Sequence, residues 1–166
     1  MASIPPLALA LSRGCGNPIS FAELQEGETV ADLGCGGGID VILAGRRVGP
    51  EGRALGVDFT PEMLERATLC AEEAGLENVE LFPGDLESVP LPNGCADAVI
   101  SNCVINLVLD KEAAYREAFR VLRPGGRIAI SDVVTSSQFD PDLKARFRGT
   151  WAGCLGGAKA EGPYLA

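Results

Sequence analysis

The sequence predicts an α/β fold in which helices cover both faces of a parallel β-sheet. From Glu28 onward, short apolar runs alternate with amphipathic stretches, a pattern typical of parallel strands joined by crossover helices. A glycine-rich loop follows the first of these runs. Of the 166 residues, 46% are apolar and 22% are charged, which is the composition of one globular domain with a sizeable core.

The elements follow one another with short connections. The first helix is predicted over 39–47, and the second has Thr60 as its N-cap, Pro61 at its first position and Gly75 at its end. A third helix is predicted from the cap at Asp110 through Leu122, and a fourth over roughly residues 140–148. The apolar runs predict five strands, over 29–33, 54–58, 79–82, 98–101 and 127–134.

Charge and hydropathy exclude two classes of partner. The formal charge is −9 and no run of Lys and Arg is present, so a nucleic-acid partner is not expected, because that affinity depends on neutralising phosphates. The apolar start is broken by Pro5 and Pro6, has no charge before it and is too short to cross a bilayer. We therefore expect no membrane association and a cytoplasmic location.

Three of the six cysteines lie where a thiol has no evident structural use. Cys15 and Cys154 are in glycine-rich segments, and Cys103 follows the end of the fourth strand, which predicts a soft, thiol-binding site. The irregular spacing and the absence of a CxxC pair favour reduced thiols over a disulfide framework. With no histidine in the chain, a zinc site would need widely separated cysteines and carboxylates. We interpret Cys35, Cys70 and Cys95 as small core or surface residues.

The glycine loop 32–38 lies between the first strand and the first helix, where backbone can approach a ligand closely. The dinucleotide fingerprint G-x-G-x-x-G fails here, because its third position falls on Ile39. Asp58, at the end of the second strand, is in the position that binds ribose hydroxyls.

Asp32-x-Gly34-x-Gly36-x-Gly38 with Asp58 resembles the cofactor motif of the class I S-adenosylmethionine-dependent methyltransferases, which have a Rossmann-like sheet. The resemblance implies that the glycine loop packs against the methionine part of S-adenosylmethionine, that Asp58 binds the ribose and that Asp85 meets the adenine amino group. The cofactor-binding residues it implies are Asp32, Gly34, Cys35, Gly36, Gly38, Asp58, Met63, Gly84, Asp85, Leu86 and Asn102.

Several segments together resemble the arsenite methyltransferases, from about Gly14 onward. They are Gly-Cys-Gly-Asn-Pro at 14–18, Val-Asp-Phe-Thr-Pro-Glu-Met at 57–63, Ser-Asn-Cys-Val-Ile-Asn-Leu at 101–107, the stretch 118–126 and Ala-Gly-Cys-Leu-Gly-Gly at 152–157. The resemblance implies arsenite as substrate, a thiol reductant, and Cys15, Cys103 and Cys154 as the arsenic-binding thiols. Asn102 would help to hold the methionine end of the cofactor. On this basis 1–13 is an N-terminal arm and 14–166 the methyltransferase domain.

The implied chemistry agrees with the composition. Arsenic(III) is soft and prefers thiolates, and its lone pair carries no proton that a base must remove, so a chain without histidine is compatible with it. Two alternatives remain: a methyltransferase acting on a carbon or oxygen nucleophile such as a quinone or sterol, and a non-catalytic module that binds cofactor or metalloid. Too few residues follow Val134 for strands six and seven, so we expect a form truncated at both ends, with the fifth strand as an exposed edge.

Overall fold

The computed structural model describes residues 4–135, 142, 146, 154 and 157–160. Residues 4–135 form five strands and four helices, with short 3₁₀ turns at Pro18–Ser20 and Ile105–Leu107. In chain order the elements are α1 (Pro6–Leu11), β1 (Thr29–Leu33), α2 (Ile39–Val48), β2 (Arg53–Asp58), α3 (Pro61–Glu73), β3 (Val79–Pro83), β4 (Ala96–Asn102), α4 (Lys111–Val121) and β5 (Leu122–Ser131).

The strands form one parallel sheet in the order β3-β2-β1-β4-β5. Val30 of β1 pairs with Ala54 of β2 on one side and with Ala98 of β4 on the other. The strand order therefore reverses between β1 and β4, and a crevice at such a switch point is where open α/β sheets bind ligands. The prediction of a parallel α/β sheet is confirmed.

Alternate residues of the central strands are buried on opposite faces. Leu33 and Val99 belong to the core cluster that includes Ala118 of α4, whereas Val30 and Ile100 belong to the cluster that includes Val41 of α2. A strand buried on both faces has little need of polar residues, which explains the continuous apolar runs in the sequence. Helices thus cover both faces, as predicted.

The structure differs from the sequence-based prediction mainly at α1 and at the boundary between α4 and β5. α1 was not predicted, because Pro5-Pro6 indicated a break; Pro6 instead occupies the first turn, where its missing N–H is harmless, and α1 packs on α3 through Ala8 and Cys70. β5 runs from Leu122 to Ser131, so it begins and ends earlier than the strand predicted over 127–134, and α4 ends at Val121 instead of Leu122. The predicted helix over 140–148 lies outside the described residues except for Asp142 and Arg146, which are helical. Within the described part of the chain, no helix is both long and apolar enough to cross a membrane.

Candidate cofactor and thiol site

The glycine loop has the close contacts that its sequence predicts. Gly34 has a φ of 80°, and a Cβ there would lie 2.6 Å from Cγ1 of Val104, the residue after Cys103. Gly38 has a φ of 91° and immediately precedes α2, where a Cβ would lie 2.9 Å from the Ala67 side chain of α3. A side chain at either position would meet both an unfavourable backbone conformation and a steric clash.

Asp58, at the end of β2, is hydrogen-bonded to the glycine loop. Its Oδ2 accepts a hydrogen bond from Gly36 N at 2.9 Å, and its Oδ1 accepts one from Thr60 N at 2.9 Å. A carboxylate has about four acceptor positions, so two such bonds leave capacity for ligand hydroxyls. Asp85 lies two residues after the end of β3 and is exposed. Its Oδ1 accepts a hydrogen bond from Glu87 N at 3.1 Å.

A cluster of buried carboxyls surrounds the loop. Burial raises the pKa of Asp32 well above its ordinary value, and the neighbouring charges of Asp40 and Asp58 raise it further. The Val41 N–H, in the first turn of α2, donates to Asp32 and opposes this rise. In the first turn of α2, the Val41 N–H is therefore bonded to the protein's own carboxyl and not to a ligand phosphate. This agrees with the absence of the dinucleotide fingerprint.

One oxygen of this cluster has no partner within the described part of the protein. Asp32 is 2% exposed, and its Oδ2 is buried without a hydrogen bond. An orphaned carboxyl oxygen among three acids fits a ligand that brings positive charge and hydrogen-bond donors. S-adenosylmethionine has an ammonium group, a sulfonium centre and ribose hydroxyls, so the residues present fit it.

We expect Asp32→Asn to remove part of the pH dependence of stability in the ligand-free chain. Because the pKa of Asp32 is raised in the fold, the native chain retains a proton that the unfolded chain loses above about pH 4, so this group destabilises the fold as the pH rises. Relative to wild type, the variant should gain melting temperature as the pH rises above about 4, at about 2–4 °C per kcal/mol of stability. Glu112→Gln, on an exposed side chain, is the control. Parallel curves for wild type and Asp32→Asn would contradict the assignment.

Cys103 is placed by a strained backbone conformation. It follows β4 with a φ of 62°, in the left-handed region, and its N–H donates to Ser131 O at 2.7 Å. Such a conformation costs on the order of 1–3 kcal/mol for a residue other than glycine and persists only where the surroundings impose it. The result is a thiol, 9% exposed, at the carboxyl edge of the sheet.

Cys15 is held by the side chain of Asn102. Asn102 Oδ1 accepts from Cys15 N at 3.0 Å and from Gly16 N at 3.2 Å. Its Nδ2 donates to Gly16 O at 2.9 Å and to Asp40 Oδ2 at 2.9 Å. A Cβ on Gly14 would overlap the Asn102 amide, so the thiol loop, residues 14–16, packs directly on this side chain. All four hydrogen bonds go to the protein itself.

The two thiols and one carboxyl converge. Among the described residues, one group of three thiol or carboxyl ligand atoms lies within 4.8 Å of one another, and it comprises Cys15, Cys103 and Asp132. The Cys15 Sγ also donates to Ser131 O at 3.7 Å. Burial raises the pKa of Cys103, and hydrogen bonding and charge at Cys15, then at Cys154, raise it further. Cys154 thus interacts with Cys103 although it is not a member of the 4.8 Å group.

The position of Cys154 follows from contacts of the residues after it. Thr135 and Ala160 form a parallel bridge, with Thr135 N donating to Lys159 O at 2.9 Å. A Cβ on Gly157 would overlap the Asn106 carbonyl, and Ala158 is fully buried. This segment therefore packs beside the turn that follows Cys103.

The remaining predicted cofactor residues surround the loop in different environments. Cys35 is buried, with its Sγ 2.9 Å from the position of a Cβ on Gly56. Leu86 is in the core beneath the sheet edge, and Met63 is half-buried in the first turn of α3. At Gly84, a Cβ would overlap Pro90. These roles remain predictions.

Three residues of the site were missed from the sequence: Asp40, Asn106 and Asp132. Asp132 directly follows β5, and Asn106 donates to it through both its N–H and its Nδ2, at 3.0 and 2.8 Å. For Asp132, its position directly after a strand was the available signal, because the carboxyl ends of parallel strands meet at one edge of the sheet.

Comparison with known families decides the classification. A family model described as a methyltransferase domain matches residues 24–164. The chain belongs to this methyltransferase family. The predicted class I sheet and its cofactor, S-adenosylmethionine, are those of such enzymes, and both predictions are confirmed at the level of the family.

The resemblance of this family member to arsenite methyltransferases is also confirmed. It is 45% identical over 148 residues to an arsenite methyltransferase of Halobacterium salinarum, covering 89% of this chain and 38% of that protein. The crystal structure of an arsenic(III) S-adenosylmethionine methyltransferase from Chlamydomonas reinhardtii matches with a TM-score of 0.87 and 35% identity, covering 98% of this chain and 56% of that one. A demethylmenaquinone methyltransferase of Listeria welshimeri is 37% identical over 129 residues, which cover 78% of this chain and 54% of that protein. The chain thus spans between about two fifths and somewhat more than half of these relatives' lengths.

Proposed function

We propose that this chain methylates trivalent arsenic, which it holds through Cys15, Cys103 and Cys154. The observation that carries the proposal is the convergence of the Cys15 and Cys103 thiols, with Cys154 acting on Cys103, beside the glycine loop. The similarity to arsenite methyltransferases supports it independently.

The donor side of the site is built from the glycine loop and its acids. Asp58 would bind the ribose and Asp85 the adenine amino group, while the unpartnered Asp32 oxygen would face the positively charged methionine part. When bound, S-adenosylmethionine supplies a methyl group made electrophilic by its sulfonium. The carboxyls favour a cationic ligand and make an anionic one unfavourable.

The acceptor side suits a soft trivalent centre. Binding of As(OH)₃ to three thiols forms three As–S bonds and breaks three As–O bonds, and each thiol proton leaves with a hydroxide as water. The raised pKa of Cys103 keeps this thiol protonated at neutral pH, which is the form that the exchange consumes. Three sulfur ligands satisfy the preference of arsenic(III) and leave its lone pair for the transfer.

The transfer itself needs orientation rather than a base. The lone pair would form the As–C bond while the sulfonium S–CH₃ bond breaks and S-adenosylhomocysteine leaves with that electron pair. Arsenic is thereby formally oxidised by two electrons, and a further cycle requires a two-electron reductant. A thiol reductant, oxidised to a disulfide, would supply these electrons, and a reducing cytoplasm would provide it. What the chain contributes is the geometry of its thiols relative to the cofactor loop.

A quinone methyltransferase is the second candidate, because the chain is also 37% identical to a demethylmenaquinone methyltransferase. The convergent thiols favour arsenic, since a carbon nucleophile has no use for them. A non-catalytic module that binds cofactor or metalloid is the third candidate.

One assay separates these functions. The reduced chain is incubated with glutathione and methyl-labelled S-adenosylmethionine, with arsenite in one reaction and demethylmenaquinone in a parallel one. Arsenic species are separated by chromatography with elemental detection, and label on the quinone is counted after extraction. Labelled methylarsenic is expected. Label on demethylmenaquinone without arsenic product would favour the second function, and arsenite binding without any methylated product would favour the third.

A further inference from the structure

We propose that Cys15, Cys103 and Asp132 form a binding site for a thiophilic divalent cation of the Zn²⁺ or Cd²⁺ class. Their ligand atoms lie within 4.8 Å of one another. Around a tetrahedral cation with metal–sulfur distances of about 2.3 Å and metal–oxygen distances of about 2.0–2.2 Å, ligand atoms are separated by roughly 3.3–3.8 Å. Small side-chain movements bring the group to that separation.

Asp132 is oriented in the way that metal-binding carboxylates usually are. Its Oδ1 accepts hydrogen bonds from Asn106 Nδ2 at 2.8 Å and from Val133 N at 2.9 Å, and its Oδ2 accepts one from Asn106 N at 3.0 Å. Asn106 is itself 2% exposed and also donates to Val133 O at 2.7 Å. Supporting hydrogen bonds of this kind fix a ligand's direction, and their loss typically weakens metal binding about 10- to 100-fold.

The two sulfur ligands are also supported. Ser131 O accepts from the Cys103 N–H, and Asn102 holds the backbone of Cys15. Cys15 is exposed, which gives a cation access from solvent, and the chain carries a formal charge of −9, which attracts cations. On binding, the cation would displace the thiol protons of Cys15 and Cys103 to solvent. Two thiolates and a carboxylate would then leave a fourth position for water or for Cys154, a pattern of open zinc sites.

The carboxylate distinguishes this site from the arsenic site. Arsenic(III) prefers three sulfur ligands, whereas Zn²⁺ and Cd²⁺ accept a mixture of sulfur and oxygen ligands. Both uses require Cys15 and Cys103, so the cation and arsenite should exclude each other. The cation site does not depend on the methylation proposed above, because it is measured without arsenic or cofactor.

The test is a titration of the reduced chain with Cd²⁺, followed by the ultraviolet absorption of cadmium–thiolate bonds, in a Cys95→Ser background that removes a half-buried thiol. One equivalent is expected to bind, and Asp132→Asn and Cys15→Ser should each weaken it at least about 10- to 100-fold. Glu112→Gln should bind as the parent does. Asp132→Asn should weaken Cd²⁺ binding at least about tenfold more than arsenite binding, because arsenic prefers sulfur.

Equal Cd²⁺ affinity in Asp132→Asn and the parent would overturn the proposal, as would an equal loss of Cd²⁺ and arsenite affinity, which would show that Asp132 only supports the local structure. If circular dichroism shows that Asp132→Asn is unfolded, Asp132→Glu replaces it. That variant retains a carboxylate on a longer stem, so a weaker but measurable Cd²⁺ site supports the proposal and unchanged affinity contradicts it.

Discussion

Replacing Cys103 by serine is expected to lower the rate of methylarsenic formation at least about 100-fold, beyond the range seen when only a supporting contact of a metal ligand is lost. Cys103 is central because it contacts Cys15, and both Cys15 and Cys154 raise its pKa. A hydroxyl is a hard ligand and would leave arsenic with two sulfur ligands. Initial rates at saturating S-adenosylmethionine, with arsenite varied, measure the effect.

The unusual backbone at this position provides a matched pair of variants. Cys103 has a φ of 62°, which glycine adopts freely, whereas serine keeps a strain of about 1–3 kcal/mol. Cys103→Gly should therefore be at least as stable to heat as Cys103→Ser and equally inactive. Inactivity of both would then result from the missing thiol, not from unfolding.

Cys95→Ser is the control for thiol loss in general, because Cys95 packs beside the opposite end of the core. It should retain the parental rate. Substantial methylarsenic formation by Cys103→Gly, with cofactor binding intact, would contradict the role given to Cys103.

Replacing Asn102 by alanine is expected to weaken arsenite binding about 10- to 100-fold, in line with the loss of groups that orient a metal ligand. The amide makes four hydrogen bonds, three of them to Cys15 and Gly16. Without it, the thiol loop loses its attachment to β4. The affinity for S-adenosylhomocysteine should change much less.

This experiment distinguishes two roles of Asn102. The family resemblance implies a contact with the methionine end of the cofactor, whereas the observed bonds go to the thiol loop and Asp40. A loss confined to cofactor affinity would favour the first role. Asn78→Ala is the control, since Asn78 also ties two backbone carbonyls, Gly45 O and Gly49 O, at 2.9 and 2.8 Å, near the other edge of the sheet. It should lower stability without changing arsenite binding.

The sheet could be predicted from the sequence because its strands are buried on both faces and therefore form continuous apolar runs. Two local signals based on proline and glycine were misleading. At α1, the paired prolines indicated a break, whereas the structure has a helix with Pro6 in its first turn. At β5, the Pro124-Gly125-Gly126 turn signal indicated a loop, whereas pairing with β4 extends the strand back to Leu122.

The candidate site was predictable where a residue type is unusual for its local position. A cysteine after a strand and a strand-end aspartate such as Asp58 are signals of that kind. Asp40 and Asp132 are ordinary in their local sequence and acquire a role only through partners 62 and 26 residues away, at Asn102 and Asn106. No periodicity specifies such pairs, because they depend on which loops meet above the sheet.

The different attachments of Cys15 and Cys103 imply an order of assembly. Cys103 directly follows β4, and its N–H donates to Ser131 O of β5, so we expect it to be in place as soon as β4 and β5 pair. Cys15 lies on a loop fastened mainly by one amide 87 residues away, so it docks only after the sheet exists and is released first when the native state opens locally. We therefore expect local opening to separate the two thiols while the sheet stays folded. The closed population would then set the affinity for any ligand that needs both sulfurs.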